Sequence, residues 1–412
     1  MGYPAAFRRK NPESRRLFEE QVMWSLARSS DIVLEIDLDS IRINFRTVLT
    51  LVGPQVRVAA VVKSDAYGLG IVNIASALID VGCDLLFVAN LEEALLLRSC
   101  FGGIAIAVFR DEFHRFGAWY KSHDLIPVVN NCEELHAAAT VGEAQTYFLN
   151  VETGFARFGL SVADVQRQNL LRTFERYRPS IVLSHLACSE CIWDATNVLQ
   201  RERFRAVYEL LKPTRGSLAA SAGVWLGKSY HFDMVRIGSA IYGINNAGTQ
   251  TNPLQPVVKL RARILDVRSV PIGEAVGYGA TFRTARASRI AIVAIGYKHG
   301  IPWSCANKIF VRLGEYLVPS IGRISMEYMT IDVTDIPAER CVPGDFVELL
   351  NDDLTVNNLA AAAGVSPQET LTRLGAGCPR KYLNFSPSAA FTASRPMTVR
   401  SPSRAKSRPM DK

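Results

Sequence analysis

Between residues 30 and 245 the chain repeats one pattern, a short apolar run followed by a stretch of helical spacing. The apolar runs are Val56–Lys63, Leu85–Ala89, Ile104–Phe109, Ile126–Val129, Thr146–Val151, Ile181–His185, Ser217–Ala222 and Met234–Gly238. Stretches between them, such as Leu91–Arg98 and Glu133–Ala139, return apolar side chains every three or four positions, as a helix does. Strands that alternate with helices make a parallel sheet. Eight such runs, spaced roughly 20–40 residues apart, predict an α/β fold, a (β/α)8 TIM-type barrel, with a doubly wound open sheet as the alternative. The sequence contains neither Gly-x-Gly-x-x-Gly nor the P-loop pattern, which argues against a dinucleotide or nucleoside triphosphate site.

The pattern changes near Pro253. Val257–Val267, Arg289–Ala294, Lys308–Val311, Thr330–Val333 and Phe346–Leu349 read as strands, punctuated by Val270-Pro271-Ile272-Gly273 and Val342-Pro343-Gly344-Asp345. Asn357–Ala363 and Pro367–Leu374 have helical spacing. Val33–Leu38 precedes the barrel, alternates like a strand and is expected to pair with this second domain. The division expected is a basic extension over 1–30, a barrel over 31–252, a mainly β domain over 253–385, and a disordered Ser-, Pro- and Arg-rich tail over 386–412.

The net charge of +8 sits in the two ends. Residues 1–30 carry six basic and three acidic side chains (+3), residues 386–412 six basic and one acidic (+5), and the middle balances. Solvated extensions are the expected reading, with nucleic acid not the expected partner. The eight cysteines are scattered, which suits a reduced compartment. Cys188 and Cys191 form a lone Cys-x-x-Cys without the second pair a zinc site wants, so no metal is expected and the thiols read as small buried hydrophobes. No secretory h-region and no apolar run of membrane length is present, so a cytoplasmic protein without membrane contact is expected.

Barrel active sites form at the carboxyl ends of the strands. There the sequence places Lys63 after the first run, Glu152 to Gly159 with Arg157 after the fifth, His185 at the sixth, Ser221 in the seventh and Arg236 in the eighth. A lysine between a dry strand and a wet mouth has its charge disfavoured, as a Schiff-base lysine needs. Each residue alone has a structural explanation. Lys63 could snorkel, His185 could be a core residue, and Arg236 could pair with Asp233. Together they form a cationic rim with phosphate-type donors.

The run Ala60-Val61-Val62-Lys63-Ser64-Asp65-Ala66-Tyr67-Gly68-Leu69-Gly70 closely resembles the cofactor-lysine signature of the alanine racemase family. Further matches are Glu35-Ile36-Asp37-Leu38-Asp39, Thr153-Gly154 with Arg157-Phe158-Gly159, and Ser184-His185-Leu186-Ala187. So are Val235-Arg236-Ile237-Gly238 with Ile241-Tyr242-Gly243, Val276-Gly277-Tyr278-Gly279-Ala280-Thr281, and Gly322-Arg323-Ile324-Ser325-Met326. The resemblance covers roughly residues 32–385 and implies a pyridoxal 5'-phosphate (PLP) enzyme, a homodimer with shared active sites, that interconverts L- and D-alanine by a two-base mechanism. It implies that Lys63 bonds the cofactor and that Tyr67, Ser221 and the backbone near Gly238 and Ser239 hold its phosphate, with Tyr242 also at the cofactor site. Arg157 would face the phenolic oxygen, His185 the ring, and Arg236 the pyridine nitrogen. Tyr278 would come from the partner subunit as the second base, and the backbone N–H of Met326 would meet the substrate carboxylate beside Arg157 and Tyr278. Racemisation removes a proton from one face of Cα and delivers another to the opposite face, so one base per face is the simplest design. Unassisted tyrosine titrates near pH 10, so Tyr278 needs nearby cations, for which His185 and Arg236 are candidates. Serine or another small amino acid is an alternative substrate. A decarboxylase or aldolase of the same barrel type is an alternative reaction.

The sequence departs from the family's pattern in places. Asn150 stands where a carbamylated lysine is frequent, and a bound anion such as chloride is a candidate substitute for its charge. Glu152 and Glu327 stand where Asp is usual. Ser217 and Ala220 replace a frequent histidine and asparagine, a change expected to remove part of the network behind Arg236 and Tyr278. Gln368 occupies the place of a phosphate-contacting tyrosine.

Overall fold

The computed structural model describes residues 30–110, 113–141, 146–247 and 252–385. The charged ends on which the net positive charge falls lie outside the described residues.

Eight parallel strands follow one another around a barrel: Arg57–Val61, Leu85–Val88, Ala105–Val108, Leu125–Val129, Phe148–Glu152, Ile181–Leu183, Arg215–Ser217 and Met234–Ile237. The last pairs in parallel with the first, Met234 opposite Arg57. The seventh and eighth meet through Asp233 N–H to Gly216 O and Arg236 N–H to Ala219 O, both 3.0 Å, so the sheet closes and the open-sheet alternative fails. Inward side chains Ala59, Val61, Leu85, Phe87, Ala107, Val128, Phe148, Ile181, Leu183 and Met234 fill the interior as one apolar cluster. The outward faces are also buried, under helices such as Leu91–Cys100 and Cys132–Val141. Burial on both faces is why these strands read as unbroken apolar runs.

The second sheet has strand order Ser288–Val293, Met329–Asp332, Tyr316–Ile321, Phe310–Leu313, Phe346–Leu350, Val258–Val270, Ile32–Asp37, Arg380–Leu383. Val258–Val270 also pairs with Ser288–Val293 across a bulge between Ile264 and Asp266, so this sheet curls on itself. The strand ahead of the barrel does join it, antiparallel to Val258–Val270 and parallel to Arg380–Leu383. Two helices, Val356–Ala363 and Pro367–Gly377, close the domain.

Some boundaries differ from the sequence reading. The first barrel strand stops at Val61, leaving Lys63 just beyond it. The seventh strand is Arg215–Ser217, not Ser217–Ala222. Ala220 makes only an isolated bridge to Arg236, and Ala222–Leu226 turns into a 3-10 helix. Tyr316–Ile321 gave no strand signal because Pro319 interrupts it. Pro319 sits opposite Phe310 in an antiparallel pair, with its side chain exposed. The hairpin of Ala275–Val276 and Phe282–Arg283 was too short to register. Among the described residues no helix is long and apolar enough to cross a membrane.

One buried side chain ties the two sheets together. Asn44, on the helix Leu38–Val52, donates to Ile241 O at 3.1 Å and Gln255 O at 2.9 Å, and accepts from Gln255 N–H at 2.6 Å. Truncation leaves the buried Ile241 O and the partly buried Gln255 backbone groups without these partners, so Asn44→Ala should cost about 1–3 kcal/mol. The expected outcome is a lowered urea midpoint against wild type.

Candidate active site

The backbone leaves the first barrel strand at Val61 and turns sharply after Lys63. Ser64, Asp65, Ala66 and Tyr67 all have left-handed φ, between 54° and 57°, followed by Gly68 at 84°. The turn holds the lysine over the barrel mouth, where its Nζ lies 5.8 Å from the Phe109 ring centroid. Burial lowers the Lys63 pKa, the Arg157 charge lowers it further, and Glu93 partly opposes both. The charged form is therefore disfavoured relative to an ordinary lysine.

Arg236 is 3% exposed, and its hydrogen bonds go to neutral oxygens rather than to a carboxylate. Its Nη1 donates to Ser217 O at 2.8 Å and Ser217 Oγ at 2.6 Å, and its Nη2 donates to Ser184 O. Burial lowers its pKa to about 10, so it remains a cation at neutral pH. Arg236 does not pair with Asp233: its nitrogens go to Ser217 and Ser184, while the Asp233 carboxylate accepts from Gly216 N–H at 2.7 Å. Ser217 also corrects the expected loss: its hydroxyl replaces part of the network behind Arg236. Behind Ser184 runs a further buried chain. Ser184 Oγ and Thr153 Oγ1 are 2.8 Å apart, and Gln200, fully buried, reaches Thr153 Oγ1, His185 O and Ala187 N–H.

Arg157 stacks on Phe155, 4.3 Å from its centroid, and Phe155 meets His185 edge-on at 5.2 Å. Burial and then the charges of Arg236, Arg157 and Lys63 lower the His185 pKa to about 3. His185 is neutral and is removed as one of the two cations proposed to assist Tyr278. Glu152 shapes the Arg157 loop by accepting from the backbone N–H groups of Gly154, Phe155 and Arg157. Burial works against its charge, but those bonds prevail and its pKa is lowered. Asn150 donates to Asn130 Oδ1 at 2.8 Å, so a neutral amide pair occupies the position in question.

The phosphate-type donors gather at the eighth strand's end. Ser221 Oγ accepts from Gly238 N–H at 2.8 Å and Ala240 N–H at 3.2 Å. A Cβ on Gly238 would sit 2.4 Å from the Tyr67 hydroxyl, so only glycine leaves room for that close approach. Burial raises the Tyr67 pKa to about 12, which keeps its hydroxyl a donor. Tyr242 backs this ring at 4.6 Å and donates to Val61 O at 3.3 Å; it stands behind the cavity rather than lining it. A cavity of about 600 Å³ joins Lys63, Tyr67, Arg157, His185, Ser221, Arg236, Gly238, Ser239 and Gln368.

Residues 36–246 match the family described as alanine racemase, N-terminal domain, and residues 257–382 its C-terminal domain. The chain belongs to the alanine racemase family. A biosynthetic alanine racemase of Mesorhizobium japonicum is 78% identical over 95% of this chain and 99% of its own length. Alanine racemase 3 of the same organism is 64% identical over 89% of this chain and 95% of its own. The crystal structure of alanine racemase from Bartonella henselae with covalently bound pyridoxal phosphate is 33% identical, with a TM-score of 0.80 over 85% of this chain and 99% of that one.

Two expected site residues of this racemase-family chain lie apart from its own cavity. Tyr278 is 71% exposed and Met326 54% exposed, on neighbouring loops of the β domain where a Cβ on Gly279 would meet Arg323 Nη1 at 2.9 Å. Glu327, next to Met326, pairs with Lys298 at 3.0 Å. The sequence reading missed Gln200 as a support of the rim, because a buried amide has no periodic or motif signal; Thr153 entered only as part of a motif. The lone cysteine pair is not buried as expected: Cys188 is half-buried and Cys191 exposed, both free. No cluster of three or more metal-ligating side chains occurs among the described residues.

The His185 shift sets a pH dependence. Its folded pKa of about 3 lies below the ordinary 6.5, so the unfolded chain binds the extra proton. The stabilisation is complete above 6.5 and is lost as pH falls toward about 3. Urea midpoints across that range should fall less steeply for His185→Gln than for wild type.

Proposed function

We propose that this chain interconverts L- and D-alanine with pyridoxal 5'-phosphate bound in the cavity of the barrel mouth. The observation that carries the reading is a lysine with a lowered pKa facing a buried arginine bound only by neutral oxygens. The residues fit that cofactor: the Ser221, Gly238, Tyr67 and Ser239 group supplies hydroxyl and backbone donors suited to a phosphate, and Gly238 leaves the space. Lys63 would bond the cofactor, and Gln368 lines the same cavity at the phosphate end. Bound pyridoxal phosphate supplies the electron sink that acidifies the substrate Cα–H.

The chain's own groups then divide the proton work. Lys63 Nζ, its pKa lowered by burial and by Arg157, takes or returns the Cα proton on one face. The partner subunit's Tyr278 serves the opposite face through its hydroxyl. Arg236 donates toward the pyridine nitrogen and cannot readily yield a proton there. In that place the Arg236 guanidinium would favour proton return to Cα over transamination. Arg157 and the Met326 backbone orient the substrate carboxylate. Retention of Tyr278 favours racemisation over decarboxylation or aldol cleavage, since neither needs a second base on the opposite face. Serine is the second candidate substrate.

A homodimer explains why Tyr278 and Met326 sit far from their own cavity. Tyr297, Trp303 and Tyr328 are exposed beside them, giving the aromatic patch that a partner's barrel mouth would cover. Eight free cysteines accord with a reduced, cytoplasmic setting.

Purified protein with PLP and L-alanine should form D-alanine by chiral chromatography, and Lys63→Ala should not. Equal product from both, or release of carbon dioxide or an aldehyde instead, sinks the reading. Tyr278→Phe should lose racemisation while keeping the cofactor's visible absorbance. Fully exchanged mixtures of Lys63→Ala and Tyr278→Phe chains should recover about a quarter of wild-type activity, because half the dimers are mixed and each holds one intact site. No recovery in proven mixed dimers contradicts a shared site.

A further inference from the structure

Four successive residues with side chains follow Lys63 in left-handed conformation, Ser64 to Tyr67. L-residues adopt that region singly, not in runs, so the turn persists only if its surroundings impose it. The surroundings come from two directions. From the barrel, Glu93 accepts from Asp65 N–H at 3.0 Å with one carboxylate oxygen and from Ala89 N–H at 2.9 Å with the other. From the β domain, Arg380 Nη1 meets Asp65 Oδ2 at 2.7 Å while its Nε donates to Gly375 O at 2.8 Å. Asp65 Oδ1 accepts from Ile71 N–H at 2.8 Å, so both of its oxygens are engaged. Next to this, Tyr382 donates to Leu69 O at 3.0 Å, and a Cβ on Gly375 would sit 2.1 Å from Gly68 O. The turn is thus gripped between a barrel helix and the last strand of the other domain, more than three hundred residues away in the chain.

We infer that Arg380 and Glu93 are positioning residues, which hold the left-handed turn at Asp65 so that Lys63 Nζ stands at the reacting position. Neither lines the cavity, so both act through Lys63. The β domain therefore contributes to its own subunit's lysine as well as to a neighbouring subunit's site. Misplacing a reacting group by an ångström costs up to about a hundredfold in rate.

The inference rests on the reading that Lys63 bonds the cofactor, and the experiment separates the two. Cofactor-free wild type, Arg380→Ala, Arg380→Lys and Glu93→Gln are each mixed with PLP. The covalent linkage is followed by absorbance, fixed with borohydride and located by peptide mass. Linkage at Lys63 should be roughly ten- to hundredfold slower in Arg380→Ala. Its kcat should fall in parallel, with KM for alanine within about twofold of wild type. Arg380→Lys, which keeps a cation at Asp65, should recover part of both. Glu93→Gln, which leaves the domain junction intact, should also slow linkage, and serves if Arg380→Ala does not fold. Wild-type linkage rates in Arg380→Ala or in Glu93→Gln overturn the inference, as does a loss that Arg380→Lys does not relieve. Cofactor fixed to a lysine other than Lys63 in wild type overturns the Lys63 reading and this inference together.

Discussion

Crowded positive charge at the barrel mouth is the constraint on which the rest of this site depends. Lys63, Arg157 and Arg236 border one cavity, where the Arg157 charge disfavours that of Lys63 and all three disfavour a proton on His185. The molecule relieves that repulsion in different ways. Lys63 moves toward its neutral form, His185 is neutral outright, and Arg236, which cannot give up its proton, is surrounded by oxygens. A carboxylate beside Arg236 would relieve the strain more fully, but it would also neutralise the donor proposed to meet a pyridine nitrogen. The site thus accepts an electrostatic cost in the free protein that an anionic, acceptor-rich cofactor offsets on binding.

That arrangement needs a stiff support, since a buried cation without a counter-ion is held only by the placement of its hydrogen bonds. Gln200, Thr153 and Ser184 form the support for one side of Arg236, and Ser217 for the other. The opposite rim is held by Glu93 and Arg380 through the left-handed turn after Lys63. Apart from Ser184, which lines the cavity, both supports are built from groups outside it. Lys63 and Arg236 are therefore placed by separate parts of the molecule, one of them the second domain.

The barrel was legible because its strands are buried on both faces, which writes them as apolar runs at regular intervals. Ile32–Asp37 was legible through its alternation, and its pairing with the second sheet followed. Tyr316–Ile321 was not, because Pro319 carries a breaker signal even though it pairs opposite Phe310 in the sheet. At the site, Lys63, Arg157, His185, Ser221 and Arg236 announced themselves by position after strands. Gln200 and Arg380 did not, because one buried amide on a helix and one arginine on a final strand look like ordinary structural residues.

Local sequence by itself determined the alternation of strand and helix, the polar residues at strand ends, and the motif around Lys63, since these depend only on neighbours along the chain. Tertiary structure alone decided the protonation of His185, the neutral cage of Arg236 and the contact of Arg380 with Asp65. It also decided that Ser217 carries a bond the sequence reading had counted as lost. Charge, burial and hydrogen-bond reach are properties of points in space, and residues distant in sequence acquire them only when the barrel closes and the second domain docks on it.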